Sequence, residues 1–195
     1  MLVSAWRRVW DEYLSVLVLS AVWLLAQVLV VPGPPATAAL FAMVRATYDG
    51  TYWGAGDAWA AFRAHFWPAW RWGLPNLLIF GIGLYNLSVF WNVPGSVWGG
   101  LRWLWVLVLL AWLGLNVVYW PFYFAAADRS LRNTFANCGR FWLLQPATAA
   151  GLTLLAAVVL VVGATTLLPV VLGAVFWLAL VAETAVRRSL ALNVG

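Results

Sequence analysis

The chain has no lysine, one histidine and one cysteine, and its charged residues amount to only 9% of 195 positions. Each shortage excludes something. Soluble domains carry about 25% charged residues, so a water-facing surface of this size cannot be assembled. The lone Cys138 permits no intramolecular disulfide and no cluster of thiolates. The lone His65 permits no H-E-x-x-H motif and no pair of imidazoles on a metal. The acidic residues, Asp11, Glu12, Asp49, Asp57, Asp128 and Glu183, are dispersed. With no acid, base, nucleophile or ligand set converging, the expectation is a non-enzymatic protein without cofactor or metal.

What the chain has instead is hydrocarbon. It is 65% hydrophobic, with a mean hydropathy of +0.90. Several apolar runs approach the roughly 20 residues that span a bilayer as helix. They do not alternate, as the strands of a membrane β-barrel would. The expected fold is therefore all-α: a polytopic transmembrane bundle forming one membrane domain over 1–195. It would have about six membrane helices, near 14–31, 36–47, 74–91, 101–126, 146–164 and 167–186. Two cytoplasmic interfacial amphipathic helices are expected near 57–72 and 128–142. Sixteen tryptophans suit headgroup level, where an indole is buried with its N–H wet. Trp112 and Trp177 lie deeper and read as packing residues.

Pro32-Gly33-Pro34-Pro35 ends the first run, since proline lacks a donor and disfavours helix before it. Pro35 can open the next helix. There Ala38, Ala42 and Ala46 form a small-residue row suited to close helix approach. Ala36-Thr37-Ala38 has the form of a signal-peptidase site, but the preceding apolar region is longer than a leader's and follows acidic residues. It reads as a span. Six crossings place ten of the eleven arginines on one side and Arg102 alone on the other. By the excess of basic residues on cytoplasmic loops, both termini are expected in the cytoplasm.

The polar insertions echo one another. Phe62-Arg63-x-x-Phe66 continues to Arg71-Trp72, and Leu131-Arg132-x-x-Phe135 continues to Arg140-Phe141. This is a duplicated unit of interfacial helix and hairpin, or two solutions to one interfacial problem. Phe62, Arg63, Phe66, Arg71, Leu131, Arg132, Phe135 and Arg140 are the candidate residues for docking a partner or lipid headgroups. The arginines suit anionic headgroups better than nucleic acid. Gln27, Asn86, Asn116 and Glu183 are the candidate intramembrane polar residues. The first three suit either interhelical hydrogen bonds or a solute path. Glu183 stands one turn before Arg187 and suits an i,i+4 ion pair. Asp57 and Asp128 suit helix caps, and Asp128 could also pair with Arg132. Cys138 reads as a small packing residue.

Pro34-Pro35-Ala-Thr-Ala-Ala-Leu40 after the first span, with Asp57-x4-Phe62-Arg63-x-x-Phe66, resembles the YesL family. These are small bacterial integral membrane proteins classed as a domain of unknown function. The resemblance runs roughly from Trp6 to Arg188 and implies a multi-pass protein of the bacterial cytoplasmic membrane. Family members are often encoded beside carbohydrate ABC-importer components, which implies an accessory role with importer permease subunits as partners. The family supplies no catalytic or ligand residues. The alternative expectation is a small-solute transporter or channel built from two related halves.

Overall fold

A computed structural model describes residues 13–167 and 173–192. Among them are eight helices and no strand: α1 (Tyr13–Val28), α2 (Gly33–Asp49), α3 (Ala55–Ala64), α4 (Phe66–Phe90), α5 (Ser96–Ala125), α6 (Leu131–Leu144), α7 (Pro146–Thr166) and α8 (Ala174–Leu192). The N-terminal Arg7, Arg8, Asp11 and Glu12, and Pro169 of the expected turn, lie outside the described residues.

The surface is inverted relative to a soluble protein. Large apolar side chains are exposed along α1, α4, α5 and α7, for example Leu25, Leu78, Leu107 and Val161. Ser20, Asn76, Asn116, Thr153 and Glu183 are buried. Water would favour the reverse; a bilayer favours this arrangement, because polar groups there must find partners inside the protein. The pattern fits a helical membrane protein. Three helices are long and apolar enough to cross a membrane: α4 with 25 residues, the 29 residues from Val97 to Ala125 of α5, and α7 with 21. The apolar α1 has only 16 residues and α2 has 17.

α2 sits at the centre, with Ala38, Leu40 and Val44 fully or almost fully buried and α1, α3, α4, α5 and α8 packed around it. Its start follows from proline at its first positions, and its end from Gly50, whose φ of 82° suits a residue without Cβ. There Thr51 N–H closes onto Ala46 O at 2.9 Å.

Two features differ from the sequence expectation. The expected interfacial helix over 57–72 is divided at His65: residues 55–64 form α3, and 66–72 are already α4. Pro68 falls in the first turn of α4, where its missing N–H costs nothing. The chain also returns to the α1–α2 elbow. Trp70 Nε1 donates to Val31 O at 3.2 Å, and a Cβ on Gly73 would sit 2.7 Å from Pro34. Arg71 therefore lies beside the elbow, although six crossings would put the two on opposite faces. Arg102 stands apart, at the α4–α5 turn, where its guanidinium caps the carbonyl oxygens of Trp91 and Trp98.

Candidate functional site

The candidate polar residues resolve into separate hydrogen-bond sets. Gln27 works at the α1–α2 elbow: its Nε2 donates to Gly33 O (3.1 Å) and Thr37 Oγ1 (3.3 Å). Asn86 returns its amide to Ile82 O on its own helix. Asn116 accepts from Trp72 Nε1 at 2.7 Å and donates to Trp112 O at 2.7 Å. Asn76 completes the mirror image, accepting from Trp112 Nε1 at 2.9 Å and donating to Trp72 O at 2.8 Å. Gln27, Asn86 and Asn116 are thus each engaged in a different place, and no shared polar path joins them.

Glu183 is 2% exposed and anchors an ionic cluster between α8 and α2. Arg187 Nε donates to its Oε1 at 2.6 Å, as the four-residue spacing suggested. The same guanidinium grips Asp49 with both terminal nitrogens, at 2.5 and 3.1 Å. It also lies 4.4 Å from the centre of the Tyr48 ring. Arg45 stands 3.9 Å from both Asp49 and Glu183. Arg45, Tyr48 and Asp49 were not among the expected members. Their spacing along α2 puts them on one end of that helix, but nothing local links them to α8.

Of the expected docking residues, the two insertions behave differently. On α3 and early α4, Phe62 stacks on Trp59 (5.1 Å between centroids) and meets Phe66 edge-on (6.1 Å). Arg63 is exposed and its guanidinium carbon lies 5.8 Å from the Trp59 ring centre. Arg71 is exposed. On α6 the apolar residues turn inward. Phe135 stacks on Trp112 and contacts Tyr119, and Leu131 packs on the core. Arg132 and Arg140 remain exposed. Ion pairs among the described residues involve Arg45 and Arg187 alone, so Arg63, Arg71, Arg132 and Arg140 face outward without a carboxylate.

The caps also differ from expectation. Ser130 caps α6, with its hydroxyl accepting from Asn133 N–H. Asp128 supports that cap by accepting from Ser130 N–H and Oγ, and is not paired with Arg132. Asp57 does serve the start of α3, accepting from Gly54 N–H at 2.8 Å. His65, at the α3–α4 break, is wedged edge-on against Tyr123 and Phe124. That burial holds its pKa below the ordinary 6.5, and nearby Arg129 adds to the effect. Cys138 is fully buried on α6, and burial pushes its thiol well above the ordinary range. Among the described residues no three His, Cys, Asp or Glu side chains are grouped to hold a metal ion.

The echo between the insertions has a structural counterpart with a different register. Both α3–α4 and α6–α7 are short helices joined to a long one through a single residue, His65 and Gln145. In the first unit the motif straddles the break; in the second it lies wholly within α6.

Residues 16–87 match the model of a family described as a protein of unknown function, DUF624. The matched stretch runs from α1 through most of α4 and is consistent with the YesL resemblance. No curated protein and no solved structure matches the chain.

Proposed function

We propose that this protein is a non-enzymatic accessory subunit of the bacterial cytoplasmic membrane that docks on a multi-pass partner. The observation carrying this reading is the contrast between its interior and its basic surface. Glu183, Asn76 and Asn116 are occupied internally, whereas Arg63, Arg71, Arg132 and Arg140 are exposed and pair with no carboxylate among the described residues. Such cations meet anionic headgroups or the acidic surface of a partner. The YesL resemblance names the partner class: permease subunits of a carbohydrate ABC importer. In this reading α1, α2 and α8 are sunk in the bilayer with the three longer helices, completing about six membrane segments. Both termini face the cytoplasm in this reading, with Arg132 and Arg140, while Arg71 lies at the α1–α2 elbow instead.

The transporter alternative would need Gln27, Asn86 and Asn116 to share a cavity, and their separate hydrogen bonds do not favour it. The deciding experiment is mild-detergent affinity purification from a native host, followed by mass spectrometry. Co-elution of importer permease subunits, lost in an Arg63→Glu/Arg132→Glu double variant that still folds, is the expected result. Recovery of this chain alone in several detergents would overturn the proposal.

A further inference from the structure

An open groove of about 390 Å³ runs between α1 and α3 over the floor of α2. Val22 and Leu25 form one wall, Trp59 and Phe62 the other, and Ala36 and Ala39 the floor. Among the described residues no ionisable one lines it. Two further indoles in its walls have their N–H groups committed: Trp23 donates to Thr37 Oγ1 at 3.0 Å and Trp53 to Thr47 Oγ1 at 2.7 Å. A sugar or other polar solute would therefore lose its water and gain almost no hydrogen bond in return. A hydrocarbon chain loses nothing. The small floor residues leave the depth that a methylene chain requires.

A cation stands beside one wall of this groove. Trp59 carries Arg63 over its ring, and Arg63 belongs to no ion pair among the described residues. A guanidinium offers five donors in a fork that fits a phosphate. The groove wall at Trp59 and the Arg63 guanidinium thus stand one helical turn apart on α3, apolar surface next to a cation. We propose that the α1–α3 groove binds an anionic phospholipid, one acyl chain lying between Val22 and Phe62 and the phosphate held at Arg63.

This site does not depend on a protein partner, so it is tested on the purified full chain alone. The protein is placed in phosphatidylcholine nanodiscs with trace phosphatidylglycerol bearing a photoreactive diazirine in its acyl chain. Labelled peptides are then mapped by mass spectrometry. Labelling should concentrate on α1 and α3, and unlabelled phosphatidylglycerol should compete where phosphatidylcholine does not. Arg63→Gln should reduce the preference for phosphatidylglycerol about fivefold, the effect of one cation near an anionic lipid. Ala55→Trp, which fills the groove from an exposed position, should abolish the labelling. Val22→Trp fills it from the opposite wall and serves if the first variant misfolds. Equal labelling of the groove and of the outward faces of α4 and α7 would mean ordinary surrounding lipid and would overturn the proposal. So would equal competition by phosphatidylcholine. A photoreactive residue at position 22 that captures a protein helix in native membranes, and no lipid, would overturn it as well.

Discussion

Trp72 and Asn116 hold each other across α4 and α5 in the same way as Trp112 and Asn76, with the roles of the two helices exchanged. Each indole donates to the amide oxygen on the other helix, and each amide returns a hydrogen bond to the carbonyl of the tryptophan four residues before it. The four side chains form a closed set on antiparallel helices. Inside a bilayer an interhelical hydrogen bond is worth about 0.6 kcal/mol on average and up to about 1.7. Asn116→Leu is expected to cost about 1 kcal/mol, and Trp72→Phe in that background less than it costs alone. Unfolding in a detergent titration measures both, and strict additivity would show that the pair is not coupled.

The ionic cluster predicts an asymmetric series. Arg187→Ala leaves the buried Glu183 with Arg45 alone, at 3.9 Å and without a hydrogen bond, and should destabilise by about 3 kcal/mol, the low end for breaking a buried pair. Asp49→Asn leaves the Glu183 pair intact. Because the Asp49 side chain is 42% exposed, the cost should stay below about 1 kcal/mol. Thermal unfolding in one detergent ranks the two, and equal losses would contradict the assigned roles.

Gly114 lies where α5 is crossed by α6 and α7. A Cβ there would stand 2.2 Å from Trp142 Cζ2 and 2.3 Å from Thr153 Oγ1. Gly114→Ala should cost about 1–3 kcal/mol through overpacking. Gly151→Ala, with nothing within 4 Å of its added Cβ, should gain up to about 1 kcal/mol of helix propensity. The opposite shifts in unfolding midpoint make the pair its own control.

Val30 adopts φ of 61° at the α1–α2 elbow, a left-handed conformation that costs an L-residue about 1–2 kcal/mol. Its side chain is 49% exposed, so little packing is at stake. Val30→Gly should stabilise by about 0.5 kcal/mol once the greater freedom of unfolded glycine is counted. A lower midpoint in the same unfolding assay would show that the valine side chain matters more than its backbone.

His65 gives the fold a pH dependence of known sign. Its folded pKa lies below the ordinary 6.5 because of burial and Arg129. Above that value the imidazole is neutral in both states and its contribution is complete. As the pH falls through 6.5, the unfolded chain takes up the proton first, and stability declines until the folded value is passed. The melting temperature should drop as the pH is lowered through about 6.5, and His65→Phe should reduce that drop. An unchanged pH profile in the variant would assign it to other groups.

Some of this was legible in the sequence for physical reasons. Pro34, Pro35 and Gly50 are backbone punctuation, and they bound α2. Glu183 and Arg187 are four apart on a helix, so their pairing is local. The break at His65 was not legible, because histidine carries no backbone signal and Pro68 suits the first turn of a helix. Leu131 and Phe135 present an apolar face that a partner or the core could cover, and only tertiary packing shows that the core does. The repeated W-x-x-x-N, Trp72 to Asn76 and Trp112 to Asn116, was visible as spelling. Its meaning required knowing that α4 and α5 run antiparallel in that register.

Arg187 and Asp49 are 138 positions apart, and a growing chain emerges from its N-terminus. The central helix α2 is therefore made, and must lodge among its neighbours, long before the guanidinium that grips its carboxylate exists. Glu183, beside Arg45, belongs to the same late segment. Until α8 is synthesised, Arg45 and Asp49 at that end of α2 have only each other, at 3.9 Å, together with water or lipid headgroups. The C-terminal helix thus acts as a closing member in assembly: a nascent protein arrested before α8 should leave α2 open to quality-control proteases, whatever the other helices have achieved.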